Sequence, residues 1–231
     1  ISNFDLISEI FKNNIYSIEK KIDFTFKEAI ILIDNLEHTL INLTGYKKLN
    51  GSQLSKDNVT YLLNSLKLLI NENEKNNTIL HIFNSKYLLD KKEIENLPIG
   101  LFGNFYSHEL SFFMINTNDH KNLNNILNNC NLKLKKIISK NFVDGANFIN
   151  ENKENETFLK ININDKNSSL IFFENSSLKF IKDFIFGFEI ILKDISKITN
   201  LEIENIKNIL NDYDFNAENL DKVIIEKKYF K

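Results

Sequence analysis

Three features of the sequence predict a mixed α/β fold. Apolar residues recur at helical spacing in two long stretches: Ile7, Ile10, Phe11, Ile15 and Ile18, then Val59, Leu62, Leu63, Leu66, Leu69 and Ile70. Runs rich in β-branched and aromatic residues lie between such stretches, as in SHELSFFMINT (107–117). Helix-like and strand-like segments interleave along the whole chain, as mixed folds require. With 231 residues, 42% of them hydrophobic, the chain can bury a substantial core in one domain or two small ones.

The elements follow in order. A helix is predicted over 5–20. EAIILIDN (28–35) and HTLINLTGY (38–46) read as two strands, and GYKKLNG as a turn-rich exit. Ser55 is placed to cap the second helix, because its hydroxyl can accept an N–H of the first turn. ENEKNN (72–77) reads as a polar loop, and TILHIFNSKYLLD (78–90) as a strand that kinks or turns near Asn84-Ser85. NLPIGLFGNF (96–105) gathers the only proline and two of the six glycines. After the strand at 107–117, Asn118 or Asp119 is expected to cap a helix carrying Leu123, Ile126, Leu127 and Cys130. LKLKKIIS (132–139) is strand-like and NFVDGANFI (141–149) a short helix. The charged ENKENE (151–156) is the best candidate boundary between domains. LKININDKNSSLIFFENSSLKF (159–180) reads as strand, polar turn, strand, turn, strand. A helix near 187–197 follows. Thr199 and Glu202 then have the spacing of a capping box, opening a helix through Leu201, Ile206, Ile209 and Leu210.

Composition excludes several functions. A net charge of -2 and a pI near 6.2 give no electrostatic footprint for nucleic acid. Cys130 is the only cysteine, so no internal disulfide can form, which fits a reducing cytoplasm. It falls in an apolar helical pattern and reads as a buried structural thiol. His38, His81, His108 and His120 lack ligand spacing, so no metal site is expected. No carboxylate pair or Ser/His arrangement offers catalysis, so no catalytic residue is assigned. No apolar run approaches the ~20 residues that span a bilayer, and no secretory signal is expected from the residues given. The chain begins at Ile1 rather than Met, which reads as a fragment or a chain whose ends continue.

Four stretches, in order, resemble the bacterial cell-division FtsA family. LNGSQLSKDNVTYLLNSLK (49–67) is similar to the start of that family's inserted subdomain, 1C. Residues 79–103 resemble its most recognisable run, a His-x-x-x-x-x-Tyr-x-x-Asp segment followed by Pro-x-Gly-x-x-Gly. The matching residues are His81, Tyr87, Asp90, Pro98, Gly100 and Gly103. KININDKNSSLIFFENSSLKF looks like the second phosphate hairpin, in subdomain 2A, and 186–207 like the helix-bearing stretch after it. The PilM family of pilus-assembly proteins, which shares the actin-like core, is the nearest rival. The run from Pro98 to Gly103 favours FtsA.

The resemblance implies an actin-like (ribonuclease H-like) core with an inserted 1C subdomain of SHS2 type. Residues 1–48 and 134–153 would belong to 1A, 49–133 to 1C, 154–211 to 2A, and 212–231 to the start of 2B. It also implies a nucleotide site, which tests the hairpin residue by residue. The family reads Asp-x-Gly-Gly-Gly-Thr-Thr-Asp there. This chain places Asn162 at the first Asp, Asn164, Asp165 and Lys166 at the glycines, Asn167 and Ser168 at the threonines, and Ser169 at the last Asp. Glycines let backbone N–H groups approach a phosphate. Asn and Asp tolerate the turn, but their side chains crowd the ligand, and Asp165 adds a like charge. Asn162 replaces a carboxylate suited to a Mg²⁺-bound water. Lys166, Asn167 and Ser168 could still donate to phosphate oxygens. Gly187 stands where the family has the first of two glycines, followed here by Phe188; Glu204 and Lys207 match positions near its adenosine. An ordinary polar hairpin therefore competes with an altered ATP/Mg site, and the residues favour the hairpin.

The function implied is that of a cytoplasmic adaptor at the inner face of the cell membrane. It would link FtsZ filaments to that membrane, recruit other divisome proteins and self-associate into filaments. The membrane contact would lie in a C-terminal amphipathic helix beyond this chain. Phe102 and Phe105 are the candidate partner contacts on 1C, whereas Phe112 and Phe113 read as core. Two alternatives stay open: a PilM-like adaptor of a pilus or secretion assembly, and an actin-like ATPase.

Overall fold

The structure is a computed structural model that describes residues 4–212, apart from 35 and 153–155. The segment expected to open subdomain 2B thus lies almost wholly outside the described residues. Two compact units are present, Ile1–Leu159 with Phe172–Phe180, and Lys160–Ile171 with Ile181–Lys231.

The chain runs through α1 (Phe4–Ile22), β1 (Glu28–Ile33), β2 (His38–Lys48), α2 (Lys56–Asn73), β3 (Asn77–Leu89), β4 (Lys92–Ile94), β5 (Phe105–Asn116), α3 (Thr117–Asn129), β6 (Lys133–Ser139) and α4 (Lys140–Glu151). β7 (Phe158–Ile163), β8 (Ser168–Glu174) and β9 (Ser177–Phe184) follow as a three-stranded sheet in that order, and α5 (Phe188–Thr199) and α6 (Ile203–Asp212) close the described chain.

In the first unit, β1 and β6 pair in parallel, with Ile31 opposite Ile137. Leu127, Cys130 and Leu132 are buried beside this pair, against Ile15, Phe26, Ala29 and Ile31. Cys130 points at the Ser8 carbonyl, 3.7 Å away, and burial pushes its thiol pKa up. It is core packing, as its pattern predicted.

Between the two strands of that parallel pair the chain builds an antiparallel sheet in the order β2-β5-β3-β4. Its α2-facing side buries Leu110, Phe112 and Met114 against Leu62, Leu66 and Ile70. Each such side chain contributes about 1.5–3 kcal/mol. Gly45 permits the close approach, since a Cβ there would fall 2.8 Å from Leu62. On the opposite face His81 and Phe83 pack on Phe142 of α4, with ring centroids 5.8 and 4.7 Å away. Phe112 and Phe113 are buried, as expected.

Several local differences from the sequence reading have local causes. β2 runs through Lys48, so GYKKLNG contributes strand as well as turn, and the reversal begins at Asn50. Near Asn84-Ser85 β3 is kinked rather than turned, as one of the two expectations had it: a bulge there shifts its register with β5 while the strand continues. The cap of α3 is Asn116, whose side chain accepts from the Asn118 N–H, rather than Asn118 or Asp119. The Thr199–Glu202 capping box does not form. Thr199 is the last residue of α5 and donates to the Ile195 carbonyl, and Asn200 ends the helix in the left-handed region. α4 extends to Glu151, into the charged segment.

In the second unit α5 and α6 pack together, with Leu192 and Ile206 buried.

Candidate functional site

The residues matched to the phosphate hairpin form a closed turn between β7 and β8. The Asn164 N–H donates to the Asn167 carbonyl at 2.9 Å, and the Asn164 amide to Asn167 Oδ1 at 3.2 Å. The turn's carbonyls then face the start of α5. The Phe188 N–H donates to Asn164 O at 2.8 Å, and the Glu189 N–H to Asp165 O at 2.9 Å. A helix N-terminus leaves its first N–H groups without partners, and these usually attract an anion. Here the first two are taken by the chain's own carbonyl oxygens.

Gly187 is extended, with φ -149°, so its glycine is not needed for an unusual turn. It is needed for closeness, because a Cβ there would lie 2.3 Å from the Asp165 carbonyl oxygen. Ser168 is buried and donates to the Phe186 carbonyl at 2.6 Å. Phe188 occupies the first helical position, as the sequence suggested, and its N–H holds the turn.

The structure therefore brings Asn164, Asp165, Lys166, Asn167, Ser168 and Gly187 together. Asn162 is half-buried at the end of β7 and is engaged by a neighbour. Asp165, Lys166 and Asn167 are exposed. Glu204 and Lys207 lie exposed on α6, and no hydrogen bond among the described residues joins them to the turn. No group of three His, Cys, Asp or Glu that could hold a metal ion occurs among the described residues.

The run from His81 to Gly103 is built as a fold device. Asp90 sits at the β3–β4 turn, and its Oδ1 accepts the Asn104 and Phe105 N–H groups, each at 2.8 Å. Gly100 has φ +87°, a region that favours glycine. A Cβ at Gly103 would meet Leu89 at 2.6 Å. His81 is buried among Phe83, Phe113 and Phe142, and burial, aided by the Lys136 charge, lowers its pKa. Phe102 and Phe105 flank this run, and both rings are more than half exposed.

A polar cluster was missed by the sequence reading. Lys179 of β9 is buried and contacts Glu109 of β5, with Glu174 at 3.8 Å. Glu174 pairs with Lys86 at 2.9 Å, and this hydrogen bond raises the Lys86 pKa. Asn175 donates to the Ser85 carbonyl and to Glu93, each at 3.1 Å. The one available signal was a lysine set between the apolar Leu178 and Phe180.

No protein-family model matches the chain. It is similar to the cell division protein FtsA of Buchnera aphidicola subsp. Acyrthosiphon pisum (strain APS), with 20% identity over 209 residues, 90% of this chain. The chain spans about half the length of that curated relative. Among solved structures it resembles a chain of the PilM-PilN type IV pilus biogenesis complex, with TM-score 0.55 and 10% identity, over 98% of this chain and 61% of the other. It also matches a Bacteroides thetaiotaomicron protein described as having an actin-like ATPase fold and unknown function, with 13% identity over 95% of this chain and 73% of the other, at a TM-score of 0.33, too low to weigh. The chain is thus distantly similar to FtsA along most of its length, and its fold is mixed α/β, like that of the chain from the PilM-PilN complex.

Among the described residues, no helix is long and apolar enough to cross a membrane.

Proposed function

We propose that this chain is the actin-like part of a scaffolding adaptor of FtsA type, working without nucleotide. The similarity to FtsA along 90% of the chain carries the reading. In this reading 1–48 and 134–153 form 1A, 49–133 form 1C, 154–211 belong to 2A, and 212–231 begin 2B. The protein acts in the cytoplasm at the inner face of the membrane. There it links FtsZ filaments, recruits other divisome proteins through a 1C surface that includes Phe102 and Phe105, and self-associates.

The closed turn at 164–167 supports nucleotide independence. A phosphate bound at α5 would have to displace two backbone hydrogen bonds, each worth about 1 kcal/mol. Calorimetry with MgATP tests this. The natural chain is expected not to bind at micromolar concentration. A variant carrying Asn164→Gly, Asp165→Gly, Lys166→Gly and Asn162→Asp is the comparison. Micromolar binding by the natural chain would show a working site with altered ligands and return the actin-like ATPase alternative.

The likeness to a chain of the PilM-PilN complex supports a second reading, a cytoplasmic adaptor for the tail of a pilus or secretion membrane protein. Pull-downs with purified FtsZ and with the cytoplasmic peptide of a pilus inner-membrane protein separate the two. Capture of FtsZ alone favours the division reading, and capture of the peptide alone overturns it.

A further inference from the structure

Among the described residues the four-stranded sheet has two edges with no strand paired to them, the outer side of β2 and the part of β3 that β4 leaves uncovered, and the second opens into a groove. β3 pairs with β5 from Asn77 to Leu89, but with β4 only at Tyr87, Leu88 and Leu89. Just before β4, the carbonyls of Asn84 and Ser85 are taken by Ser177 Oγ and Asn175 Nδ2. Residues 77–83 remain, with no strand paired on that side among the described residues, and within them the Asn77 N–H is already taken by the Glu74 carbonyl. Pleating turns part of their backbone N–H and C=O groups away from β5, and such a row is a template for another strand.

This edge opens into a groove of about 470 Å³ whose other wall is α2. Lys67 and Asn71 of α2 line it with Asn77, Thr78, Ile79 and Ile82 of β3. Ile79 and Ile82 are half-buried, so alternate side chains of an added strand would land on apolar surface. Lys67 is the only charged lining residue, is half-buried, and has no carboxylate in ion-pair range among the described residues. A carboxylate on the incoming strand completes it. The bulge at Leu80 twists the edge, which suits a short strand and works against flat pairing of two long identical edges. Symmetric pairing of two copies would also bring two lysines, rather than opposite charges, to the seam.

We infer that this groove docks a short extended peptide from another protein. The peptide adds a strand along 77–83, sets a carboxylate against Lys67 and rests an apolar side chain over Ile79 and Ile82. Main-chain bonds supply attachment, and the Lys67 charge with the two isoleucines supplies choice. This site does not depend on the division or the pilus reading, since it rests on the sheet edge, the groove and the Lys67 charge.

The test uses the full chain and a panel of fluorescein-labelled heptapeptides alternating Val with Thr, with Glu at each polar position in turn. Fluorescence anisotropy is read beside amide hydrogen exchange. At least one peptide is expected to bind saturably and slow exchange within 77–83. N-methylating alternate backbone amides of that peptide should weaken it at least about tenfold, ~1.4 kcal/mol. Lys67→Glu should weaken it too, and should gain binding to the peptide whose Glu is replaced by Lys. That rescue shows the variant is folded. Three results would overturn the proposal: no saturable binding across the panel up to the millimolar range, equal binding of the N-methylated peptide, or a chain that sediments as a dimer with 77–83 already protected.

Discussion

Lowering the pH should destabilise the first unit through one histidine. His108 of β5 is 3% exposed and lies tilted against Tyr87 and Tyr106, at centroid distances of 4.8 and 5.9 Å. Its Nε2 lies 3.0 Å from Asn84 Oδ1. That oxygen can only accept, so the neutral ring carries its proton on Nε2. Nδ1 has no partner among the described residues. Charging the ring would put a second proton on Nδ1 in apolar surroundings, and burial holds the pKa down from 6.5 to about 4. The sign follows directly. Below pH 6.5 the unfolded chain takes up a proton that the folded chain refuses. Stability is therefore present above 6.5 and is lost progressively until the folded ring titrates near 4. That gap of about two and a half pH units amounts to about 3 kcal/mol. His81 shifts in the same direction and adds to the loss.

Urea unfolding from pH 7.5 to 4 would be followed for the natural chain and for His108→Gln. Gln retains a donor for Asn84 and cannot charge. Carboxylates that titrate in the same range affect both chains and cancel in the difference. The natural chain is expected to lose about 3 kcal/mol more than the variant across this window. Parallel curves would refute the reasoning, since they would mean that the ring charges equally easily in both states.

Three further substitutions probe packing and polar contacts. Gly145→Ala would raise helix propensity by about 1 kcal/mol at an exposed site. Here its Cβ would fall 2.1 Å from the Phe173 ring, so overpacking should reverse the sign, to a net loss of about 1–2 kcal/mol in urea unfolding. Lys179→Met leaves Glu109 and Glu174 facing an apolar side chain, and should lower stability by about 3 kcal/mol, with partial recovery when Glu109→Gln is added. Asp90→Ala deprives two backbone N–H groups of their acceptor, and should cost about 1–2 kcal/mol and speed amide exchange at Asn104 and Phe105.

Periodicity made the helices and strands legible because each repeats one contact over several turns or pleats. The stripe from Val59 to Ile70 gave α2, and its buried members Leu62, Leu66 and Ile70 follow from that stripe. Caps were less legible, since a cap depends on where the preceding strand stops. β5 runs to Asn116, so Asn116 rather than Asn118 meets the first N–H groups of α3. The α1 stripe was read as helical and is helical, yet Ile10, Phe11 and Ile18 stay about half exposed. Spacing shows that an apolar face exists and does not say what meets it. The ion cluster around Lys179 was illegible for another reason: Glu109 and Lys179 are 70 positions apart. In the resemblance-bearing run, the sequence located Asp90 and Gly103 but could not show that they hold one turn of chain to another.

The turn at 164–167 depends on where backbone groups point, which side-chain identity reveals only indirectly. A glycine beside a phosphate loop ordinarily keeps room for a ligand. At Gly187 that room is filled by the carbonyl of Asp165, whose neighbour Asn164 accepts the Phe188 N–H. Gly187→Ala therefore separates two roles for this glycine. If the close contact is with the chain itself, the added Cβ must push the turn off α5 and release two backbone bonds. The unliganded chain should then lose about 1–3 kcal/mol, with faster amide exchange at Phe188 and Glu189. If the glycine instead keeps space for a nucleotide, the unliganded chain should keep its stability and only MgATP binding should fall. Unchanged unfolding and unchanged exchange at those two amides would show that the turn is not held against α5 as described.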